Sequence, residues 1–124
     1  MTDRGLRDYI EHMLEAARQA CGYVDGMDRD EFLHDRRTQQ AVILNLVILG
    51  EAATRLMKEH ASFLAAYPAV PWNSMRGMRN RLAHGYFDID LQVVWETVQT
   101  NLPALVDALP AILRAADGHS EPRH

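Results

Sequence analysis

Apolar residues recur at intervals of three and four along the first part of the chain, at Leu6, Tyr9, Ile10, Met13, Ala17 and Ala20. This spacing is typical of one buried helix face. It predicts a helix that runs to about Tyr23, with Thr2 or Asp3 as its N-cap. The stretch GYVDGMDRD interrupts the pattern, and Asp28 or Asp30 is then expected to begin a short helical turn.

A second long helix is predicted from about Asp35 to His60. Its middle, Ala41 to Leu49, is apolar on every face apart from Asn45, and both ends of the helix are charged. Such a segment is buried on all sides in one chain or lies in a subunit interface. Asn45 is expected to form a buried hydrogen bond between helices. Pro68 and Pro71 predict an irregular connection after this helix.

Two further helices are expected in the second half of the chain. The first runs from about Trp72 or Asn73 to His84, with Gly85 as the residue that ends it. The second runs from Leu91 to about Ala116, is capped by Asp88 or Asp90, and is kinked or divided by Pro103 and Pro110.

These patterns predict the fold class. No segment alternates with a period of two, so the fold is expected to be all-α, a bundle of four to five helices. The bundle would form a single domain over residues 1–117, and residues 118–124 would form a polar, frayed tail.

Composition narrows the class of protein. The chain has 124 residues, of which 48% are hydrophobic and 24% charged, as in one globular domain. A single cysteine, Cys21, excludes an intramolecular disulfide and a cysteine-rich zinc site. The longest apolar run is under half of the about 20 residues that a membrane helix needs. The first residues lack the apolar core of a secretion signal. We therefore expect a cytoplasmic protein with no membrane partner.

Charge is distributed unevenly along the chain. The formal net charge of −4 argues against a protein that coats nucleic acid by counterion release. The stretch from Trp72 to Phe87 is an exception, since it has no acidic residue and contains Arg76, Arg79, Arg81 and His84. This stretch is the candidate for a local phosphate site.

Arg79 and His84 have the chemistry for cleaving RNA. Arginine offers a fixed fork of donors to phosphate oxygens, and histidine near its ordinary pKa can accept and donate a proton. The ribose 2′-OH would attack the adjacent phosphorus, so the nucleophile belongs to the substrate and neither a metal nor a cofactor is required.

The spacing of the pair leaves its geometry open. Residues five apart lie about 140° apart around a straight helix. Arg79 and His84 would converge if the chain turns at Gly85, or if a second subunit brings its own copy across a two-fold axis. In the alternative interpretation, Arg79 and Arg81 are solvated and His84 is a helix-end residue that interacts favourably with the dipole.

The segment resembles the HEPN superfamily, whose nucleases carry an arginine, a polar residue directly after it, and a histidine four to six positions on. More narrowly, it resembles the HepT toxins and their pattern R-x4-H-x-Y, with Arg79, Asn80, His84 and Tyr86 at the matching positions. The resemblance extends over most of residues 35–100. It includes the strings LGEAATRL, PAVPW, GMRNRLAHGYFDID and VVW.

The resemblance implies roles for these residues. Arg79 would contact the scissile phosphate, His84 would move protons, and Asn80 would orient one of them or the substrate. Arg76 and Arg81 would bind RNA. Glu51 would be a second supporting residue. The resemblance favours a position in the core, paired with an arginine, over an exposed position on its helix.

It also implies partners. The protein would be a homodimeric, metal-independent ribonuclease that acts on tRNA or mRNA, the toxin of a type VII-like toxin–antitoxin pair. An MntA-like nucleotidyltransferase would serve as antitoxin and silence the nuclease by transferring AMP to Tyr86, beside the cleft that admits RNA.

Other functions remain open. The spacing of Glu31 and His34 fits half of a bundle metal site, but a di-iron site needs two such motifs. Asp88 and Asp90 could form a metal pair or cap the last helix. HEPN-like bundles also serve as non-catalytic substrate-binding partners of nucleotidyltransferases, and a plain helical dimer could act as a scaffold.

Overall fold

The computed structural model describes residues 4–118, apart from the side chains of Arg4 and Tyr86. No strand occurs in this range, and the all-α prediction is confirmed. The long helices are α1 (Arg4–Tyr23), α3 (Arg36–Glu59), α5 (Trp72–His84) and α7 (Leu102–Gly118). The short ones are α2 (Arg29–Leu33), α4 (Ala61–Leu64) and α6 (Leu91–Glu96). A 3-10 turn (Tyr86–Asp88) follows α5, and a π-helical segment (Thr97–Asn101) joins α6 to α7.

Aspartates cap three of these helices. For two of the three, the sequence offered two candidate caps, and the structure shows which one is used. Asp28 caps α2 in a capping box with Glu31, Asp35 caps α3, and Asp90, rather than Asp88, caps α6. Each side chain accepts hydrogen bonds from backbone N–H groups that the helix leaves without partners. The predicted cap at Thr2 or Asp3 lies outside the described residues.

Helix α3 lies at the centre of the bundle, packed against α1 on one side and α5 on another, while α7 packs on α1. The core between α1, α3 and α7 is apolar and contains, among others, Ile10, Met13, Leu46, Leu56 and Leu109. Phe32 of α2 meets Trp95 of α6 with ring centroids 5.4 Å apart. This contact joins α2 to the last helical stretch of the bundle.

One helix is additional to the prediction, and the interruption predicted at Pro103 has a form that the sequence did not specify. The chain forms the extra helix α4 before the irregular connection that contains Pro68 and Pro71. The last helical stretch is divided by the π-helical segment, where Leu102 N–H donates to the carbonyl of Thr97. Pro103 comes directly afterwards, and the wider turn accommodates a ring that would otherwise meet the carbonyl four residues earlier.

Pro110 lies inside α7, so of the two predicted effects, a kink or a division, the division does not occur at this proline. Gly118, predicted to begin the tail, is the last residue of α7, and residues 119–124 lie outside the described part of the chain.

The apolar middle of α3 is not buried on all sides in one chain. Leu44 is 59% exposed and Ile48 is 39% exposed, on a side of α3 that no other helix of residues 4–118 covers. Within the described residues, α3 is the one helix long and apolar enough to cross a membrane, and 44% of its apolar window is buried inside the bundle. Asn45 is buried, but its side chain donates to Ala41 O of its own helix at 3.0 Å, which corrects the prediction of a bond between helices.

Candidate active site

Helix α5 carries the basic stretch, and local sequence explains its ends. Pro71 precedes its first residue, where a helix needs no backbone N–H donor. Trp72 is buried and its indole N–H donates to Tyr67 O at 3.1 Å, which ties the start of α5 to the preceding connection. Gly85 follows the last residue, and its N–H donates to Arg81 O at 2.8 Å. The predicted bounds of this helix are confirmed.

Gly50 of α3 allows α5 to approach closely. A Cβ atom at Gly50 would lie 2.4 Å from the Arg79 Cβ and 2.6 Å from the Met75 carbonyl oxygen, and real Cβ atoms essentially never come this near. Met75 is buried in this contact. The missing side chain of Gly50 therefore sets where the backbone of α5, and with it Arg79, lies on α3.

Arg79 is held by two polar side chains of α3. Its Nη1 donates to Glu51 Oε1 at 2.7 Å, and its Nη2 donates to Thr54 Oγ1 at 3.2 Å. The Arg79 side chain is 21% exposed, and its Nε is buried without a hydrogen-bond partner. Arg79 is thus fixed on α3, with about a fifth of its side chain exposed to solvent.

Glu51 pairs with an arginine, but it does so at the surface, with its side chain 48% exposed, and the predicted core location is wrong. Its other carboxylate oxygen lies 3.5 Å from the Nε of Arg55. Thr54 was not singled out from the sequence. The only indication was its position three residues after Glu51, which places both on neighbouring parts of one helix face.

His84 is exposed and is the last residue of α5. Because the helix continues unbroken from Arg79 to His84, the two positions lie about 140° apart around its axis. The end of the helix at Gly85 therefore does not bring them together. In a single chain, Arg79 lies against α3 while His84 faces solvent.

The remaining predicted residues divide between two sides of α5. Exposed Asn80 is four residues before His84 and lies about 40° from it. Arg76 is about 60° from Arg79, and its Nη2 donates to Asn73 Oδ1 at 3.0 Å. Arg81 lies about 160° from Arg79, so it does not share the Arg79 face. It lines a cavity of about 550 Å³ between α5 and the last helices.

Tyr86 begins the 3-10 turn, two residues after His84. The next residue, Phe87, is 95% exposed. Together with the uncovered side of α3, it borders a groove of about 720 Å³, which we call the α3–α5 groove. Its apolar lining includes Ile43, Leu44, Val47, Leu82, Phe87 and Leu91.

The residues considered for a metal site have local structural roles. Glu31 accepts from the Asp28 N–H at 2.9 Å, and His34 Nδ1 lies 2.8 Å from Asp30 O. Asp90 accepts from the N–H groups of Gln92 and Val93. Among residues 4–118, no group of three or more His, Cys, Asp or Glu side chains could hold a metal ion.

Comparison with known proteins points to one family. A family model described as "Ribonuclease HepT-like" matches residues 13–112. The chain is 32% identical over 121 residues to a candidate RNase of Methanocaldococcus jannaschii, covering 98% of each chain. It is 36% identical to a candidate ribonuclease HepT of Thermococcus cleftensis, over 82% of this chain and 90% of that one. It is 33% identical to a candidate RNase of Caldanaerobacter subterraneus, over 87% and 94% respectively. No solved structure matches the chain significantly.

Proposed function

The chain belongs to the HepT-like ribonuclease family, and on this premise we propose that it is a metal-independent endoribonuclease with Arg79 and His84 as its catalytic residues. The observation that carries the proposal is how these two side chains are held and how far they are exposed. Arg79 is fixed but partly open to solvent, and His84 is exposed on the same helix. A phosphate bound near Arg79 would meet a preorganised positive charge.

The reaction is a transesterification in which the leaving group is the O5′ of the downstream fragment. A histidine removes the proton from the ribose 2′-OH as its oxygen forms a bond to phosphorus. The bond between phosphorus and O5′ breaks, and O5′ takes the proton from the imidazolium that has formed. Arg79 stabilises the negative charge on the non-bridging oxygens. The products carry a 2′,3′-cyclic phosphate and a 5′-hydroxyl.

A second copy of the chain would complete the site. Arg79 and His84 diverge by about 140° on α5, so we infer that Arg79 of one protomer acts with His84 of the partner subunit. A two-fold dimer would form two such sites, each with Arg79 of one chain and His84 of the other. The uncovered side of α3, with Leu44 and Ile48, is the apolar surface available for such a dimer.

Further roles come from the family resemblance. The protein would be the cytoplasmic toxin of a toxin–antitoxin pair and would cleave tRNA or mRNA. A nucleotidyltransferase antitoxin of the MntA kind would transfer AMP to Tyr86. Asn80 would orient the substrate or His84, because it lies on the His84 side of α5. Arg76 would add a phosphate contact on the Arg79 side, and Arg81 would contact RNA elsewhere along its path.

The experiment is RNA cleavage by the purified protein in EDTA. We compare wild type with His84→Ala and with the control His12→Ala, which changes an exposed histidine on α1. Wild type and H12A should leave cyclic phosphate ends. H84A should lose at least about 100-fold in rate with its helicity unchanged, since general acid–base catalysis contributes about 10²–10⁴-fold.

Intact mass is recorded on the same samples. If wild type of unmodified mass does not cleave RNA, the proposal is wrong and the non-catalytic binding module is favoured. If the inactive protein is heavier by one AMP, Tyr86→Phe protein is purified in the same way. It should then have the unmodified mass and cleave RNA, whereas an added AMP in Y86F would contradict the assignment of the modified residue.

A further inference from the structure

The side chain of Arg79 is restrained at both ends of its guanidinium by α3. Glu51 accepts from Nη1 at 2.7 Å and Thr54 accepts from Nη2 at 3.2 Å, while Nε is buried. We call Glu51 and Thr54 the arginine clamp. A guanidinium has five N–H donors, so the clamp and the burial of Nε leave one N–H on each Nη for another ligand.

The hydroxyl of Thr54 has a fixed role in the clamp. Its own proton is donated to the Gly50 carbonyl at 2.7 Å, so towards Arg79 the oxygen can only accept. The orientation of this hydroxyl therefore does not depend on Arg79, and it is set by the backbone of α3. A threonine placed in this way orients an arginine without adding charge.

Glu51 differs from Thr54 because it carries a negative charge next to the group expected to bind phosphate. Its Oε1 contacts Arg79 and its Oε2 lies 3.5 Å from Arg55 Nε, so it joins two cations of the same surface. A carboxylate at 2.7 Å reduces the net positive charge available to a phosphate. It orients Arg79 and lowers the affinity for RNA at the same time.

We propose that Glu51 and Thr54 are positioning residues of the nuclease: the clamp fixes the direction of the two free Arg79 N–H groups, and Glu51 also competes with the substrate phosphate for Arg79. The inference rests on the proposed function. It gives two residues of α3 different and measurable effects on the same arginine.

The kinetic test uses Thr54→Val, Thr54→Ser and Glu51→Gln. T54V keeps the side-chain shape but removes the acceptor, so kcat should fall about 10-fold or more with KM unchanged, because an interaction used for orientation in the transition state is lost. T54S keeps the hydroxyl and should retain kcat within about 3-fold. E51Q should also lower kcat.

The effect of Glu51 on affinity is measured separately, in His84→Ala protein that cannot cleave. E51Q in this background should bind a short RNA several-fold more tightly. The matched control is Glu59→Gln, which removes a carboxylate on the same helix that contacts Arg55 and not Arg79. E59Q should change neither affinity nor kcat. Equal effects of E51Q and E59Q on affinity, or a T54V enzyme with unchanged kcat, would overturn the inference.

A second readout does not depend on cleavage. Exchange of the Arg79 Nε proton with water is followed by ¹⁵N NMR, and the signal is assigned by its disappearance in Arg79→Lys. Exchange should be slow in wild type, T54S and E59Q, and at least about 10-fold faster in Glu51→Ala and T54V, because each of these two variants removes an acceptor and a released guanidinium opens more often to solvent. Unchanged exchange in both variants means that there is no clamp. If this exchange pattern is found but wild type does not cleave RNA, the clamp exists in the protein. In that case the proposed nuclease activity and the positioning role of Glu51 and Thr54 in it are both wrong.

Discussion

Gly50 is the residue on which the position of Arg79 depends most directly. The two atoms nearest to an added Cβ would be the Cβ of Arg79 and the backbone oxygen of Met75, neither of which can rotate away. Arg79 reaches Glu51 and Thr54 because the backbones of α3 and α5 come this close. The small size of one residue on α3 thus controls the geometry of an arginine 29 positions further along the chain.

Gly50→Ala should therefore destabilise the fold. Overpacking costs about 1–3 kcal/mol, and here it exceeds the about 1 kcal/mol that alanine gains over glycine in a helix. The matched control is Gly77→Ala, since a Cβ at Gly77 of α5 would meet only the flexible Arg81 Nη1, at 3.5 Å. Urea unfolding followed by circular dichroism, at one fixed protein concentration, should show a lower free energy of unfolding for G50A and an equal or higher one for G77A. A G50A protein as stable as wild type would contradict the close approach of the two helices.

The candidate site could be predicted only in part at this scale. Arg79, Asn80, His84 and Tyr86 lie within one short string, so a contiguous motif was enough to propose them as site residues. The same motif indicated the family, and the comparisons confirm the family. The clamp joins residues 28 and 25 positions apart. It depends on how two helices pack, and no local pattern contains that information.

The ends of helices are the elements that the sequence predicted best. The signals are local: an aspartate with free backbone N–H groups after it, a proline before the first turn, or a glycine after the last. Asp35, Pro71 and Gly85 each stand at the predicted boundary. The π-helical segment was not predicted. Pro103 indicates that the helix is interrupted, but the geometry of the interruption depends on how α6 and α7 pack against α1 and α2.

Asp35 links the cap of α3 to pH. Hydrogen bonds from the Thr38 backbone N–H at 3.1 Å and the Thr38 hydroxyl at 2.8 Å stabilise the carboxylate and lower the pKa of Asp35 below its ordinary value. A lowered pKa in the folded state means that this contribution to stability is complete above the pKa of the unfolded chain, about 3.9. It is lost as the pH falls through the lower folded pKa.

Asp35→Asn should flatten the acid side of the stability curve. Asparagine can still accept the cap hydrogen bond but does not titrate. The free energy of unfolding, measured in urea between pH 6 and pH 3, should fall less steeply in D35N than in wild type. Asp25→Asn, at an exposed position between α1 and α2, is the control and should follow wild type. Equal slopes for D35N and wild type would show that this carboxylate is not stabilised by folding.

At the scale of the whole molecule, two features of one surface agree. α3 presents Leu44 and Ile48 to solvent in the middle of its most apolar stretch, and the α3–α5 groove beside them is bordered by Phe87, close to the end of the motif. A second copy that covered this surface would bury apolar area and bring another α5 near Arg79. The sequence left two explanations of the apolar stretch open, and the exposure of its outer side favours the interface.

Mixing two inactive variants tests whether the site is shared between protomers. Arg79→Ala and His84→Ala dimers should each be inactive alone. After exchange of subunits, half of the dimers contain one chain of each kind. In these, Arg79 of one protomer and His84 of the partner subunit form one complete site of two. The mixture should therefore recover about 25% of wild-type activity if each site takes one residue from each chain.

The control is Leu44→Glu in both variants, which places a charge on the uncovered side of α3. These proteins should be monomeric by light scattering, and their mixture should stay inactive. No recovery from a mixture shown by native mass spectrometry to contain mixed dimers would mean that each protomer uses its own Arg79 and His84.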